Sequence, residues 1–345
     1  MYSRRRRRAA SASSLNSEGV APVDVPRLRL PTKEDVAAAR DNIRGRAIRT
    51  PLLKLNADIP RTNVYLKLEN LQPLGSFKIR PAVNMLKTID PQRLQRGVLT
   101  ASAGNFGQGL AFAAREIGVP ITVIVPETSA AIKATALANL GAMVIRVPFD
   151  QWWAALTSRS FDGVQGEFVH PVAESAVVAG NATIGAEIFE DLPDVDAVVV
   201  PFGGGGLISG IGSVMRRLGR AVRMVAAESA ASQPAAAALA SGRPVTVAHS
   251  QSFVDGMGST TVLAEMWPLV RQNVDVAVCV SFAQITDAIR MLASRHHVIA
   301  EAAGAASVAA AVASMAGGGN IVCIVSGGNI DAAKLAGILD GRNPF

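Results

Sequence analysis

Lys67-Leu-Glu-Asn-Leu-Gln-Pro-Leu-Gly-Ser-Phe-Lys78-Ile-Arg-Pro-Ala82 is the stretch on which the reading of this chain turns. An apolar strand, Val64 to Leu68, leads into a polar loop containing Pro73 and Gly75. Ser76 is placed to N-cap a helix that turns Phe77, Val83 and Leu86 inward. Lys78 then falls in the first helical turn, where the macrodipole opposes a cation and pushes an ammonium toward the neutral amine. A neutral amine at the mouth of a pocket is what a Schiff base needs. On its own, Gly-Ser-Phe-Lys describes a solvated lysine at a helix start equally well, so the rest of the chain decides.

The 345 residues can bury a large core, and length alone suggests two domains. With 49% hydrophobic and 18% charged residues the composition is that of a soluble globular protein. No apolar run approaches the ~18 residues of a membrane span, so no membrane partner is expected. Cys279 and Cys323 each sit in an apolar, strand-like run and read as buried thiols of a reducing compartment, which places the protein in the cytoplasm. The Cys and His spacing offers no metal site. The net charge of +7 is concentrated at the N-terminus, where Arg4 to Arg8 face only Glu18. Residues 1–25 form a basic tail without an apolar face, expected to be disordered. It reads as a start-site extension, with a transit peptide or a nucleic-acid contact left open; no nucleic-acid partner is expected, and no apolar segment follows to make it a secretory signal.

Along the chain, a polar helical pattern from Arg27 to Asn56 has Val36, Ala37, Ile43 and Leu52 as candidate buried positions. Strands are expected at 98–101, 121–125 and 143–147, with helices at 105–117 and 129–140, closed by Gly118 and Gly141. Trp152 and Trp153 follow in an amphipathic segment and read as core. A second series has a helix from Asn181 to Asp191 and strands at 197–200, 222–227, 276–280 and 321–325. These alternate with helices near 232–240, 282–294, 302–314 and 331–340. Such βα alternation predicts parallel sheets covered by helices. Ser241 to Gly258, rich in Gly, Pro and Ser, reads as a loop over the surface or over a site.

Three strand–helix junctions carry chemistry. At Gly203-Gly204-Gly205-Gly206-Leu207 a buried strand ends and an apolar helix begins. Four residues without Cβ let backbone N–H groups converge on an anion at a helix N-terminus, which predicts a phosphate site. The spacing is neither that of a P-loop nor that of the dinucleotide fingerprint. Ser102-Ala103-Gly104-Asn105-Phe106-Gly107-Gln108 is a second junction, whose N–H groups suit a carboxylate while Asn105 suits a phenolate oxygen; a capped helix start with Asn and Gly in the turn remains open as well. Val325-Ser326-Gly327-Gly328-Asn329 closes another strand, with Ser326 at the crevice end of an open sheet. Glu301 is at a helix N-terminus and reads as a dipole-favourable carboxylate. His170, His296 and His297 have no partner at readable spacing and read as ordinary polar residues.

Taken together and in this order, Lys-Leu-Glu-Asn…Gly-Ser-Phe-Lys-Ile-Arg, Ser-Ala-Gly-Asn, the tetraglycine, Glu-Ala-Ala-Gly-Ala and Ser-Gly-Gly-Asn resemble the fold-type II pyridoxal-phosphate enzymes. Within that group the chain is similar to the threonine/serine dehydratases and the related serine racemases, from about residue 30 to the end. The resemblance implies an α/β fold of the tryptophan synthase β type, with the cofactor between two open parallel-sheet domains: a large one of 26–96 and 175–345 and a small one of 97–174. It implies that Lys78 is the Schiff-base lysine and takes the α-proton, and that Phe77 packs beside the ring. Asn105 bonds the ring 3-hydroxyl, Gly203, Gly204, Gly205, Gly206 and Leu207 hold the phosphate, and Ser326 bonds the pyridine nitrogen. Ser102, Ala103, Gly104, Asn105 and Gln108 bind the substrate carboxylate. The implied reaction is β-elimination of a 3-hydroxy amino acid to a 2-oxo acid and ammonia, in a homodimer. A neutral serine at the pyridine nitrogen weakens the electron sink, which suits expulsion of a β-hydroxyl.

Departures from the pattern narrow this expectation. Racemases of the group carry a serine where this chain has Ala103, so elimination is expected over racemisation. Phe106 stands where many dehydratases have His, Pro81 where many have Gly, and Asn181-Ala182 replaces Gln-Gly, all placed near the substrate side. The group's divalent-cation site would begin at Glu228, but Ser232 and Pro234 stand at further ligand positions, so no metal is assigned. Alternatives are action on another 3-hydroxy amino acid, such as a hydroxyaspartate or a phenylserine, by dehydration or racemisation, or a non-catalytic binding protein.

Overall fold

The computed structural model describes residues 28–345 apart from 103, 130, 343 and 345. The basic tail and Ala103 therefore lie outside the described residues. In chain order the elements are α1 (Lys33–Ile43), β1 (Leu52–Lys54), β2 (Thr62–Lys67), α2 (Ile79–Thr88), α3 (Pro91–Leu94), β3 (Val98–Ala101), α4 (Asn105–Glu116) and β4 (Ile121–Pro126). There follow α5 (Ala131–Asn139), β5 (Met143–Val147), α6 (Phe149–Ser158), β6 (Glu167–Phe168), α7 (Ser175–Asp191), β7 (Ala197–Pro201), α8 (Gly206–Met215) and β8 (Arg223–Ser229). The chain closes with α9 (Pro234–Ser241), α10 (Trp267–Asn273), β9 (Val276–Val280), α11 (Phe282–His296), α12 (Ala302–Val312), β10 (Gly319–Ile324) and α13 (Ala332–Leu339).

The strands form two sheets, a six-stranded one of order β1-β2-β10-β7-β8-β9 and a four-stranded one of order β5-β4-β3-β6. Every pairing is parallel except the β1–β2 edge. Parallel strands need crossover helices, and helices on both faces require strands that are apolar throughout. Ala197-Val-Val-Val-Pro201 meets that demand, since all five residues of β7 are buried. Its register shows how the period of two serves two cores. Val198 pairs with Val322 and Met224, and all three face the core under α7 and α8. Val199 pairs with Cys323 and Val225, and these face the opposite core, with α11 and α12. In the smaller sheet Val98, Ile121 and Val123 face the side of α4, whereas Leu99, Ala101 and Ile124 face α6.

The structure corrects several expectations. Helix α2 begins at Ile79, and Lys78 is its N-cap residue with no side-chain cap, so Ser76 is not the N-cap and Lys78 precedes the first turn. Gly75, with φ +69°, and a bridge from Ser76 to Gly327 pull the chain into β10's end before the helix can start. Helix α7 starts at Ser175 rather than near Asn181, because Val177 to Gly180 are apolar and buried, with α7 packed on α2 and α8. In α1, Ala39 rather than Ala37 joins Val36 and Ile43 inside, and Leu52 is half-buried on the edge strand. Cys323 is buried, whereas Cys279 on β9 is only half-buried. Helix α10, seven residues opening with Trp-Pro, has no counterpart in the sequence reading. Trp152 and Trp153 are half-buried against the α6 core as expected. The segment 243–266 carries no regular element. Its Phe253, Val254 and Met257 are buried, and its Gly256 carbonyl lies against Gly203, so the loop covers the tetraglycine. Among the described residues no helix is long and apolar enough to cross a membrane.

Candidate active site

A helix N-terminus leaves several N–H groups without partners, and surface helices satisfy them with a side chain. Here Thr32, Ser281 and Asp331 cap α1, α11 and α13 in that way. Several other helices lack a side-chain cap, and among them α4 and α8 start on glycine. Their N-cap residues are Gly104 and Gly205, and neither is capped by a side chain. These are the two junctions that the sequence marks for a carboxylate and a phosphate, and their free N–H groups with the positive end of each dipole suit anions.

The tetraglycine is a close-fitting cradle. A Cβ on Gly203 would lie 2.7 Å from the Gly256 carbonyl, and one on Gly204 would lie 2.8 Å from both Val172 methyls. Gly205 has φ +86°, a conformation L-residues disfavour, and a Cβ there would lie 2.6 Å from Val270 Cγ2. Leu207 is buried behind them. Asn181, placed by the sequence reading near the substrate side, is buried beside Gly206 at the cradle.

Lys78 is brought to this cradle by a short loop. Its Nζ donates to the Pro171 carbonyl at 3.3 Å, and the next residue, Val172, is the one packed on Gly204 and Gly206. The ammonium lies 5.0 Å from the Phe77 ring centroid and 5.4 Å from that of Phe106. Burial lowers its pKa to about 8, so the neutral amine, almost absent for an ordinary lysine, is a minor but usable fraction near physiological pH. The cause of the shift is desolvation, not the helix dipole expected from the sequence. Phe77 N donates to the Ser326 carbonyl at 3.0 Å, which ties the lysine to the end of β10. Ser326 is buried, and its hydroxyl takes no hydrogen bond from the described residues. Asn105 is the first residue of α4. Ser102, Gly104 and Gln108 surround it half-buried, and Gln108 N donates to the Gly104 carbonyl.

Two residues beyond Lys78, Arg80 is the centre of a buried ion network. Arg80, fully buried, donates to both oxygens of Glu69 and of Glu187 at 2.6–2.9 Å. Lys67 Nζ donates to Glu187 at 2.6 Å and to the Thr50 carbonyl at 2.7 Å, and Thr50 Oγ1 donates to Glu69 at 2.6 Å. Two cations and two carboxylates are thus balanced in the interior, the condition under which buried charge is tolerated. The motif Lys67-Leu-Glu69…Lys78-Ile-Arg80 supplies three of the four.

Sequence reasoning missed three participants. His170 is not an ordinary polar residue. It is buried, Nδ1 accepts from Val172 N at 3.1 Å and Ala173 N at 2.9 Å, and burial, then the charges of Arg159 and Lys78, push its pKa down to about 3. It shapes the loop that holds Lys78. Glu301 does not cap its own helix, but accepts from Asn105 Nδ2 at 2.8 Å. Asn329 Nδ2 donates to Asn105 Oδ1 at 2.8 Å. Pairing across the chain between residues so far apart leaves no local signal; only the Gly-Gly-Asn after a strand hinted at Asn329. Glu228, where a cation site would begin, instead accepts from Ala235 N at 2.6 Å and Ala236 N at 2.9 Å, at the start of α9.

Residues 43–327 match the family described as pyridoxal-phosphate dependent enzyme. An L-threonine ammonia-lyase of Thermotoga maritima is 38% identical over 315 residues, covering 90% of this chain and 78% of that protein. The chain belongs to the fold-type II pyridoxal-phosphate enzymes, in their threonine/serine dehydratase family. A catabolic L-threonine dehydratase of Staphylococcus aureus is another relative, 32% identical over 89% of this chain and 91% of its own. Among solved structures, maize serine racemase superposes with a TM-score of 0.82 at 27% identity, covering 89% of this chain and 96% of that one. Threonine deaminase isoform 2 of Solanum lycopersicum has a TM-score of 0.80 at 29% identity, covering 93% and 98%. The fold is therefore that of this pyridoxal-phosphate enzyme family, and pyridoxal phosphate is its cofactor. The residues present fit the cofactor: a Cβ-free anion cradle at the uncapped start of α8, a second uncapped start at α4, and a desolvated lysine bonded to Pro171 beside the Val172 that packs on the cradle.

Proposed function

We propose that this protein deaminates a 3-hydroxy amino acid of the threonine or serine type by β-elimination, giving a 2-oxo acid and ammonia. The observation that carries this is the placing of the desolvated Lys78 amine, through Pro171 and Val172, against the tetraglycine cradle. Gly203 to Gly206 and Leu207 hold the cofactor's phosphate by backbone N–H groups and the α8 dipole. Asn105 donates to the ring oxygen, and the neutral Ser326 hydroxyl meets the pyridine nitrogen. Phe77 and Phe106 flank the lysine and exclude water. The bound cofactor supplies a carbonyl for the substrate amine and a ring that withdraws electrons from the α-carbon. Ser102 to Asn105 and Gln108 hold the substrate carboxylate at the uncapped start of α4. With its pKa lowered to about 8, the Lys78 amine takes the α-proton at Nζ.

Assignment of 26–96 and 175–345 to a large domain and 97–174 to a small one follows the two sheets and is part of this proposal. So is a homodimer, for which the exposed Ile48, Leu53 and Leu71 around the β1 edge offer an apolar face; light scattering tests it. The activity test is 2-oxo acid release from a panel of L- and D-3-hydroxy amino acids, with Lys78→Ala as control. Release from L-threonine or L-serine that vanishes in the control is expected. No release from any member, by a protein that binds the cofactor, overturns the reaction.

A further inference from the structure

Glu301 stands at the start of α12, yet none of that helix's N–H groups bonds to its side chain. The carboxylate turns away and reaches Asn105, on the helix that follows the first strand of the other sheet. The approach depends on Gly327: a Cβ there would collide with Glu301 Oε1. The Asn105 amide is thus held at both ends. Its oxygen accepts from Asn329 Nδ2 at 2.8 Å, and its nitrogen donates to Glu301 at 2.8 Å.

The sense of this chain of bonds is fixed by one backbone carbonyl. Asn329 Nδ2 also donates to the Leu74 carbonyl at 2.9 Å, and a backbone carbonyl only accepts. The Asn329 nitrogen must therefore face Leu74 and Asn105, the Asn105 oxygen must face Asn329, and the Asn105 nitrogen must face Glu301. An amide nitrogen carries two hydrogens. Glu301 takes one, and the other is left over.

Charged groups act on Glu301 from two further elements. Asp255, in the segment before α10, and Lys133, on α5, pair with each other at 3.0 Å. Burial raises the Glu301 pKa to about 7; the Asn105 hydrogen bond opposes the rise, Asp255 adds to it, and Lys133 and the Asn329 N–H oppose it. The first turns of α12 and α4 carry no charged side chain.

We propose that Glu301 is a positioning residue of the reaction: its carboxylate fixes the Asn105 amide with the second N–H turned to the cofactor's ring oxygen, and protonation of Glu301 weakens that hold and slows turnover. The inference rests on the cofactor placement given above. An ionised acceptor makes a hydrogen bond roughly twice as strong as a neutral one. The protonated carboxyl also gains an O–H that competes for the same oxygens. Turnover therefore rises with pH through the neutral range as Glu301 ionises, by about tenfold between its two plateaus.

Glu301→Gln keeps the size and an acceptor oxygen but never ionises. The expected result is a holoenzyme whose kcat is about tenfold below wild type at about pH 8 and whose pH profile keeps only the rise set by the Lys78 amine, the further rise from Glu301 ionisation being lost, with KM little changed. Two further readouts need no turnover. A carboxyl band in the infrared difference spectrum of the wild-type holoenzyme should titrate near neutrality and be missing from Glu301→Gln. The visible absorbance of the bound cofactor should shift over the same range in the wild type alone. A role confined to stability would scale activity equally at every pH and keep the wild-type profile. Parallel profiles, or a Glu301 carboxyl that stays ionised throughout, overturn the proposal. If neither protein releases a 2-oxo acid, the reaction assigned above fails on its own, and the infrared and absorbance titrations still decide the role of Glu301.

Discussion

Replacing Arg80 by methionine would leave an uncompensated negative charge sealed in the interior, two residues along the chain from Lys78. Lys67, Arg80 and Glu69 have side chains 0% exposed, and Glu187 is 8% exposed. Removing Arg80 leaves one cation facing two carboxylates and takes six hydrogen bonds with it. Breaking a buried pair from one side costs about 3–5 kcal/mol, a large share of the ~5–15 kcal/mol that holds a typical protein folded. The pH dependence has a definite sign. In the wild type, burial would raise the Glu69 carboxyl, but the Arg80 charge and its hydrogen bonds override that and hold it below its ordinary value. Without Arg80, burial prevails and the folded pKa rises above the unfolded one. Such an acid costs stability at high pH, and the cost fades as pH falls through the raised value. Urea unfolding of holoenzyme with excess cofactor should show the Arg80→Met deficit largest at about pH 8 and smaller at about pH 5. Adding Glu69→Gln restores charge balance and should recover at least about 1 kcal/mol of the deficit. A single variant within about 1 kcal/mol of wild type, or a second substitution that adds to the loss, would refute the reasoning.

At the cradle, Gly205→Ala should weaken cofactor affinity at least about tenfold in an absorbance titration of apoprotein, since φ is +86° and Val270 blocks a Cβ. Gly337→Ala, in open space on α13, should leave affinity unchanged and add about 0.5–1 kcal/mol of stability. His170→Ala strands the Val172 and Ala173 N–H groups, so a loss of about 2 kcal/mol on denaturant unfolding is expected, with reduced kcat as the Lys78 loop shifts. Because the folded His170 pKa, about 3, lies below its ordinary 6.5, its share of stability is lost as pH falls through that window, and His170→Ala should flatten the acid limb of stability against pH. With Ala103 in place of a serine, chiral chromatography of L-serine incubations should show D-serine forming more slowly than 2-oxo acid.

Much of this site was legible because its parts lie at strand–helix junctions, where sequence signals are local. Four glycines between an apolar strand and an apolar helix announce a backbone anion site without any tertiary information. The ends of β7 and β10 were legible for the same reason, since central parallel strands are apolar on both faces. What was not legible depends on long-range approach. Glu301 reads as a dipole-favourable helix start until Asn105 is seen to arrive from another sheet. His170 has no sequence partner because its partners are backbone N–H groups two and three residues on. The early start given to α2 came from Ser76, a good cap by type, whose backbone is drawn into a bridge with Gly327 instead. Lys67, Glu69 and Arg80 stood within the quoted motif, but their mutual burial depends on Glu187 from α7.

The most direct test of the account is to treat the holoenzyme with borohydride, which fixes the cofactor to the lysine that holds it, and to map the modified peptide by mass spectrometry. The account predicts that the added mass lies on Lys78 alone and that Lys78→Ala carries none. Modification of a different lysine, or equal labelling of Lys78→Ala, would contradict it.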